Sequence, residues 1–135
     1  PYLAQLAADV GAPVHLIDEC DDLSGLNAAL DIGVLSSAFG EGFPNFVAEA
    51  MAAGVPCIVT DVGDAAAIVD TTGLVVRPRD PEALAQAMST LAADPALRTR
   101  LGTAARQRIE QRYKLSDMIS GYEALWERLV TPMPA

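Results

Sequence analysis

Lysine and arginine are missing from the first 76 residues of this 135-residue chain, although eleven aspartates and glutamates fall there. The rest carries all nine basic residues and seven acids, and the formal net charge is −9. Such an acidic chain is poorly suited to nucleic acid or an anionic membrane, so nucleic acid is not an expected partner. An anion held by the first half has to rest on backbone N–H groups and helix ends, or on cations from outside this chain. Cysteine is scarce: Cys20 and Cys57 have no metal-ligand spacing, and their apolar or helical contexts predict reduced, buried thiols in a cytoplasmic protein. No metal site is expected. Long apolar runs are absent, since none approaches the ~20 residues of a membrane span, and no signal-peptide pattern opens the chain. Peripheral contact with the inner face of a membrane stays open. The single histidine, His15, lies in a strand-like run and reads as structural.

Half of the chain is apolar (51%), enough for one domain with a real core and too short for two. Short β-rich runs alternate with helical patterns, which predicts an α/β fold: a Rossmann-like parallel sheet with helices on both faces. Four strands are expected, at Val14–Ile17, Ile32–Ser37, Pro56–Thr60 and Gly73–Val76. The opening PYLAQLAADVGAP reads as the end of a helix, and further helices are expected in SGLNAAL, NFVAEAMAAG and VGDAAAIV. After Val76 the strands stop and three helices follow. Asp80 caps the first, with Pro81 at its first position. The second carries the Arg98–Arg112 series, read as a solvated face. The third is capped by Ser116 and has an apolar stripe through Tyr122 and Trp126 that needs a partner surface. The domain is taken as residues 1–130, with 131–135 as a tail.

In parallel α/β sheets ligands sit beyond the carboxyl ends of the strands. The Ile32–Ser37 strand runs directly into AFGEGFPN, so this loop lies at the working edge. Pro44 suits the first helical position, which leaves the N–H groups of Asn45 and Phe46 unpaired and attractive to a phosphate. Gly40 and Gly42 allow close approach to the backbone. Two carboxylates beside a phosphate make poor charge partners but good acceptors for sugar hydroxyls. Glu49, a turn inside the helix, suits a ribose; Glu41, in the loop, suits whatever hangs beyond the phosphates. The same residues also read as an ordinary loop and a solvated boundary carboxylate.

At these residues the chain resembles the retaining glycosyltransferases of the two-Rossmann-domain (GT-B) architecture, group 1 or family 4 type. EGFPNFVAEAMAAGVPCIVTDVGD carries the likeness, with a glutamate, seven residues, a second glutamate, the A-M-A-x-G-x-P helix end and a strand closing on T-D-V-G. The resemblance continues through TGLVVRPRDPEALAQAM to SDMISGYEALWERL and covers residues 10 to 130. It implies the later part of a C-terminal, donor-binding domain of a hexosyltransferase-type enzyme, with polysaccharide biosynthesis as one setting. Glu41 then contacts the donor sugar and is the catalytic candidate, while Glu49 binds the ribose diol. Amides matching Gly42, Phe43, Asn45 and Phe46 cradle the sugar and diphosphate, and Leu16 and Ile17 neighbour the base. The donor is a UDP-, GDP- or ADP-sugar, a substrate, so no cofactor is expected.

The resemblance also implies an upstream Arg/Lys pair and an N-terminal domain that this chain does not include. The fragment alone is therefore expected to be inactive, with bared sheet edges that favour a homodimer or strand exchange. Asp64 stands where many relatives have a second glycine, a departure not read as disabling. Two alternatives remain: a sugar-nucleotide epimerase of the same architecture, which converts its nucleotide sugar without an acceptor, and a non-enzymatic nucleotide-sugar binding module. A signalling receiver ranks far lower, because the clustered N-terminal acids of such a domain are missing.

Overall fold

The structure is a computed structural model that describes residues 2–11 and 13–130. The expected tail at 131–135 lies outside them, as does Pro1 of the opening segment. Two helices come first, α1 (Tyr2–Asp9) and α2 (Leu23–Ala28). A parallel sheet then forms from β1 (Gly33–Leu35), β2 (Cys57–Thr60) and β3 (Leu74–Val76), in the order β1-β2-β3. Ile58 sits opposite Val34 on one side and Leu74 on the other. Helices α3 (Asn45–Ala52) and α4 (Ala65–Val69) make the crossings that parallel pairing requires, and α5 (Pro81–Ala93), α6 (Pro95–Arg112) and α7 (Leu115–Val130) follow.

The pleat explains the two-sided core. β2 is the central strand and all four of its residues are buried. Cys57 and Val59 pack with Val47, Met51, Ile68 and Ala105 from α3, α4 and α6. Ile58 points the other way, to Leu91 of α5 and Leu101 of α6. Alternation with period two therefore sends successive residues to opposite layers. Buried in this way, the Cys57 thiol is pushed up to about 12 by desolvation, which disfavours the thiolate. Both cysteines are free, as expected, although Cys20 is only half-buried.

The expected strand at Val14–Ile17 does not form, so the sheet has three strands rather than four among the described residues. Residues 13–20 have no regular structure, and Leu16 and Ile17 are 56% and 64% exposed. A strand exists only against a ladder partner, and no described segment pairs with this one. His15 accordingly sits on an exposed irregular stretch.

Capping follows sequence in part. Asp22, Asp80 and Asp94 accept the N–H groups of Gly25, Ala83 and Leu97 at 2.8, 2.9 and 2.9 Å. Ser116 is not a cap. It lies inside α7, whose first bonds run from Asp117 and Met118 to the Lys114 carbonyl. Asp61 N–H extends the ladder to Val76 O, and α4 begins four residues later.

The arginine series is more than a solvated face. Arg98 donates to the carbonyls of Leu91 and Ala92 at the end of α5 (2.7 and 2.9 Å). Arg108 donates to Ile68 O and Ala67 O at the end of α4 (2.7 and 2.8 Å) and pairs with Asp70 at 3.0 Å. Both satisfy carbonyls that a helix end leaves open. Arg106 keeps the expected character, in an exposed pair with Glu110.

Candidate functional site

The loop after β1 delivers the chain to α3 through Pro44, which is buried and stands as the cap rather than the first helical residue. Its carbonyl accepts from Val47 N–H at 3.0 Å and Ala48 N–H at 3.4 Å. The N–H groups of Asn45 and Phe46 meet no acceptor among the described residues. Asn45 and Phe46 line a cleft of about 590 Å³ together with Glu49, Ile17 and Asn27, walled by apolar residues of α2 and β1. The cleft thus collects four of the eight sequence-predicted residues. Leu16, Glu41, Gly42 and Phe43 do not line it.

Asn27 is a residue the sequence reading missed. It is only 5% exposed, and its amide donates to Glu49 Oε2 at 3.4 Å. The signal was positional: four residues after Leu23 and three before Leu30, it falls on the apolar face of α2, where an amide needs a partner. Glu49 is itself exposed on α3, so Asn27 orients the carboxylate while leaving it open to solvent.

Glu41 is positioned from the other side. It is half-buried, and Ser37 Oγ–H donates to its Oε1. The Ser37 carbonyl in turn accepts from the buried Thr60 hydroxyl at 2.7 Å, at the end of β2. The loop after β2 backs the site: Asp64 N–H donates to Gly42 O at 3.2 Å. Gly63, at φ +57°, lies so close to the Glu41 carbonyl that a Cβ would run into it. Glycine is needed there for both backbone angle and space. In sequence the T-D-V-G stretch showed only as a motif; its seat beneath Glu41 is tertiary. The Phe43 ring turns away and packs on Tyr113 at the end of α6, with centroids 5.6 Å apart and planes at 58°.

The sequence model of the family described as Glycosyl transferases group 1 matches residues 1–94. This chain belongs to the group 1 glycosyltransferases. An exopolysaccharide phosphotransferase of Streptomyces coelicolor is 35% identical over 121 residues, 87% of this chain and 13% of that protein. The N-acetyl-alpha-D-glucosaminyl L-malate synthase of Bacillus anthracis is 31% identical over 84% of this chain and 30% of its own length. Among solved structures, sucrose-phosphate synthase of Thermosynechococcus elongatus superposes with a TM-score of 0.87 at 30% identity, over 94% of this chain and 33% of that one. This glycosyltransferase chain therefore spans a third or less of the relatives named here, and the three-stranded sheet with its flanking helices is a Rossmann-like part of their architecture. No helix among the described residues is long and apolar enough to cross a membrane.

Proposed function

We propose that this chain is the nucleotide-sugar-binding part of a retaining glycosyltransferase that moves a sugar from a nucleoside-diphosphate donor to an acceptor. The observation that carries the reading is the start of α3. Two N–H groups without acceptors stand there, on residues that share one cleft with the Glu49 carboxylate. A diphosphate on the helix start satisfies those donors and the positive end of the helix dipole. Glu49, held by Asn27, then accepts from the ribose diol. Ile17 and the leucines of α2 offer an apolar wall to the base. Glu41, held by Ser37, accepts from hydroxyls of the donor sugar beyond the phosphates and orients the anomeric carbon for transfer.

The two acids line different parts of the corner, which suits separate roles. In the full polypeptide, Glu41→Ala is expected to lower kcat about 100-fold, as loss of a transition-state contact does. Glu49→Ala is expected to weaken donor binding about tenfold with a smaller change in kcat. Wild-type kinetics in both variants would sink the assignment. A calorimetric panel of UDP-, GDP- and ADP-sugars on the same polypeptide identifies the base. The reading places the protein in the cytoplasm, with the acceptor and the remaining donor contacts supplied by other parts of the polypeptide.

A further inference from the structure

Directly after β1, Ser37 donates to Glu41 while its neighbour Ser36 lines a different hollow. There Ser36 meets Thr60, Arg77, Arg79, Asp80 and Leu84 around a separate pocket of about 180 Å³, at the carboxyl edge between β1, β2 and the loop after β3. We propose that this pocket is a subsite for a phosphate group, separate from the diphosphate position at α3.

Size is the first argument. Pockets for drug-sized ligands run from about 300 Å³ upward, so a 180 Å³ pocket is too small for a nucleotide and suits one anionic group with a few partner atoms. Charge is the second. Arg77 and Arg79 are the first two basic residues of the chain, and neither takes part in an ion pair among the described residues. The one carboxylate lining the pocket, that of Asp80, already accepts Ala83 N–H at 2.9 Å. Two exposed arginines and a serine on the lining of one small pocket offer the donors that the acceptor-rich surface of a phosphate takes.

Backbone strain is the third argument. Arg79 sits at φ +60°, one of two non-glycine residues with positive φ among the described residues. A glycine adopts that angle without strain, whereas a long side chain there costs stability. Asp70, the other such residue, has its carboxylate engaged by Arg108. Arg79 has no such partner, and a phosphate in the pocket supplies one. Neither Glu41 nor Glu49 lines this pocket. The matching ligand is a phosphorylated acceptor or effector, and the donor diphosphate is the competing source.

Inorganic phosphate, titrated at constant ionic strength, is expected to raise the thermal midpoint of the full polypeptide, as binding to the native state requires. Arg77→Gln with Arg79→Gln is expected to weaken that phosphate response about tenfold or more. Arg79→Gly guards against simple misfolding, because it should hold or raise the ligand-free midpoint while the phosphate response falls. Calorimetry with a nucleoside diphosphate separates this subsite from the donor site. Unchanged diphosphate affinity in the double variant supports a separate subsite, and an equal loss for both ligands refutes it. A phosphate response that is absent, or unaltered by the substitutions, also overturns the proposal. The pocket does not depend on the proposed donor site, so failure of Glu49→Ala to affect the donor leaves this test intact.

Discussion

At the scale of single residues, polar side chains are positioned by partners remote in sequence. Asn27 reaches Glu49 across 22 residues, and Thr60 reaches the Ser37 carbonyl across 23. The position of Glu49 was legible from spacing, because a carboxylate one turn inside a helix has a fixed relation to the helix start, and Glu41 fell in the loop before it. Their supports were not, because each comes from another strand or helix. Cys57 yields a residue-scale prediction. Burial pushes its thiol up from the ordinary 9.0 to about 12. The folded value is the raised one, so the contribution to stability is complete below pH 9.0 and is lost as pH rises from 9.0 toward about 12. The full loss is at most roughly 4 kcal/mol. Urea midpoints measured from pH 8 to 10.5 should fall more steeply for the wild type than for Cys57→Ala, and parallel slopes would contradict the burial argument.

At the scale of elements, helices were the most legible feature. Pro81 and Pro95 open α5 and α6 behind aspartate caps, and these signals lie within a few residues of one another. Contacts between elements were hidden. Arg98 and Arg108 look like members of a solvated arginine face, yet each closes the end of a different helix, one of them 40 residues away. Gly102 shows the same thing for packing. It is buried in the middle of α6, where a Cβ would overlap the Gly54 carbonyl and touch Pro56 at 3.4 Å. Helix propensity alone favours alanine there by about 1 kcal/mol. Because the obstacle is backbone, Gly102→Ala is expected instead to destabilise by about 1–3 kcal/mol, read as a lower denaturation midpoint. A midpoint unchanged or raised would show that α3 and α6 do not approach as described.

At the scale of the whole molecule, the sheet has two open sides. β1 and β3 each pair with β2 alone, so neither outer edge has a ladder partner among the described residues. Helix α7 buries none of its residues, and Tyr122 and Trp126 stand 60% and 67% exposed. An unpaired edge and an apolar stripe on one small body favour association. Sedimentation of the isolated chain across the micromolar range is expected to show self-association, and a stable monomer throughout would count against it.

The sequence by itself determined the alternation of strand and helix, the cap at Asp80, the family and the corner carrying Glu41 and Glu49. Each of these is written in local spacing or in an ordered motif. Only the tertiary structure decided that Val14–Ile17 stays out of the sheet, since a strand depends on a neighbour its own residues do not encode. It also decided that Asn27 and Ser37 hold the acids, that Gly63 backs the Glu41 main chain, and that Ser36 and the two arginines line one pocket. The pleat of a strand fixes which of two adjacent residues faces which layer, but what waits in that layer is set by chain that folds in from elsewhere.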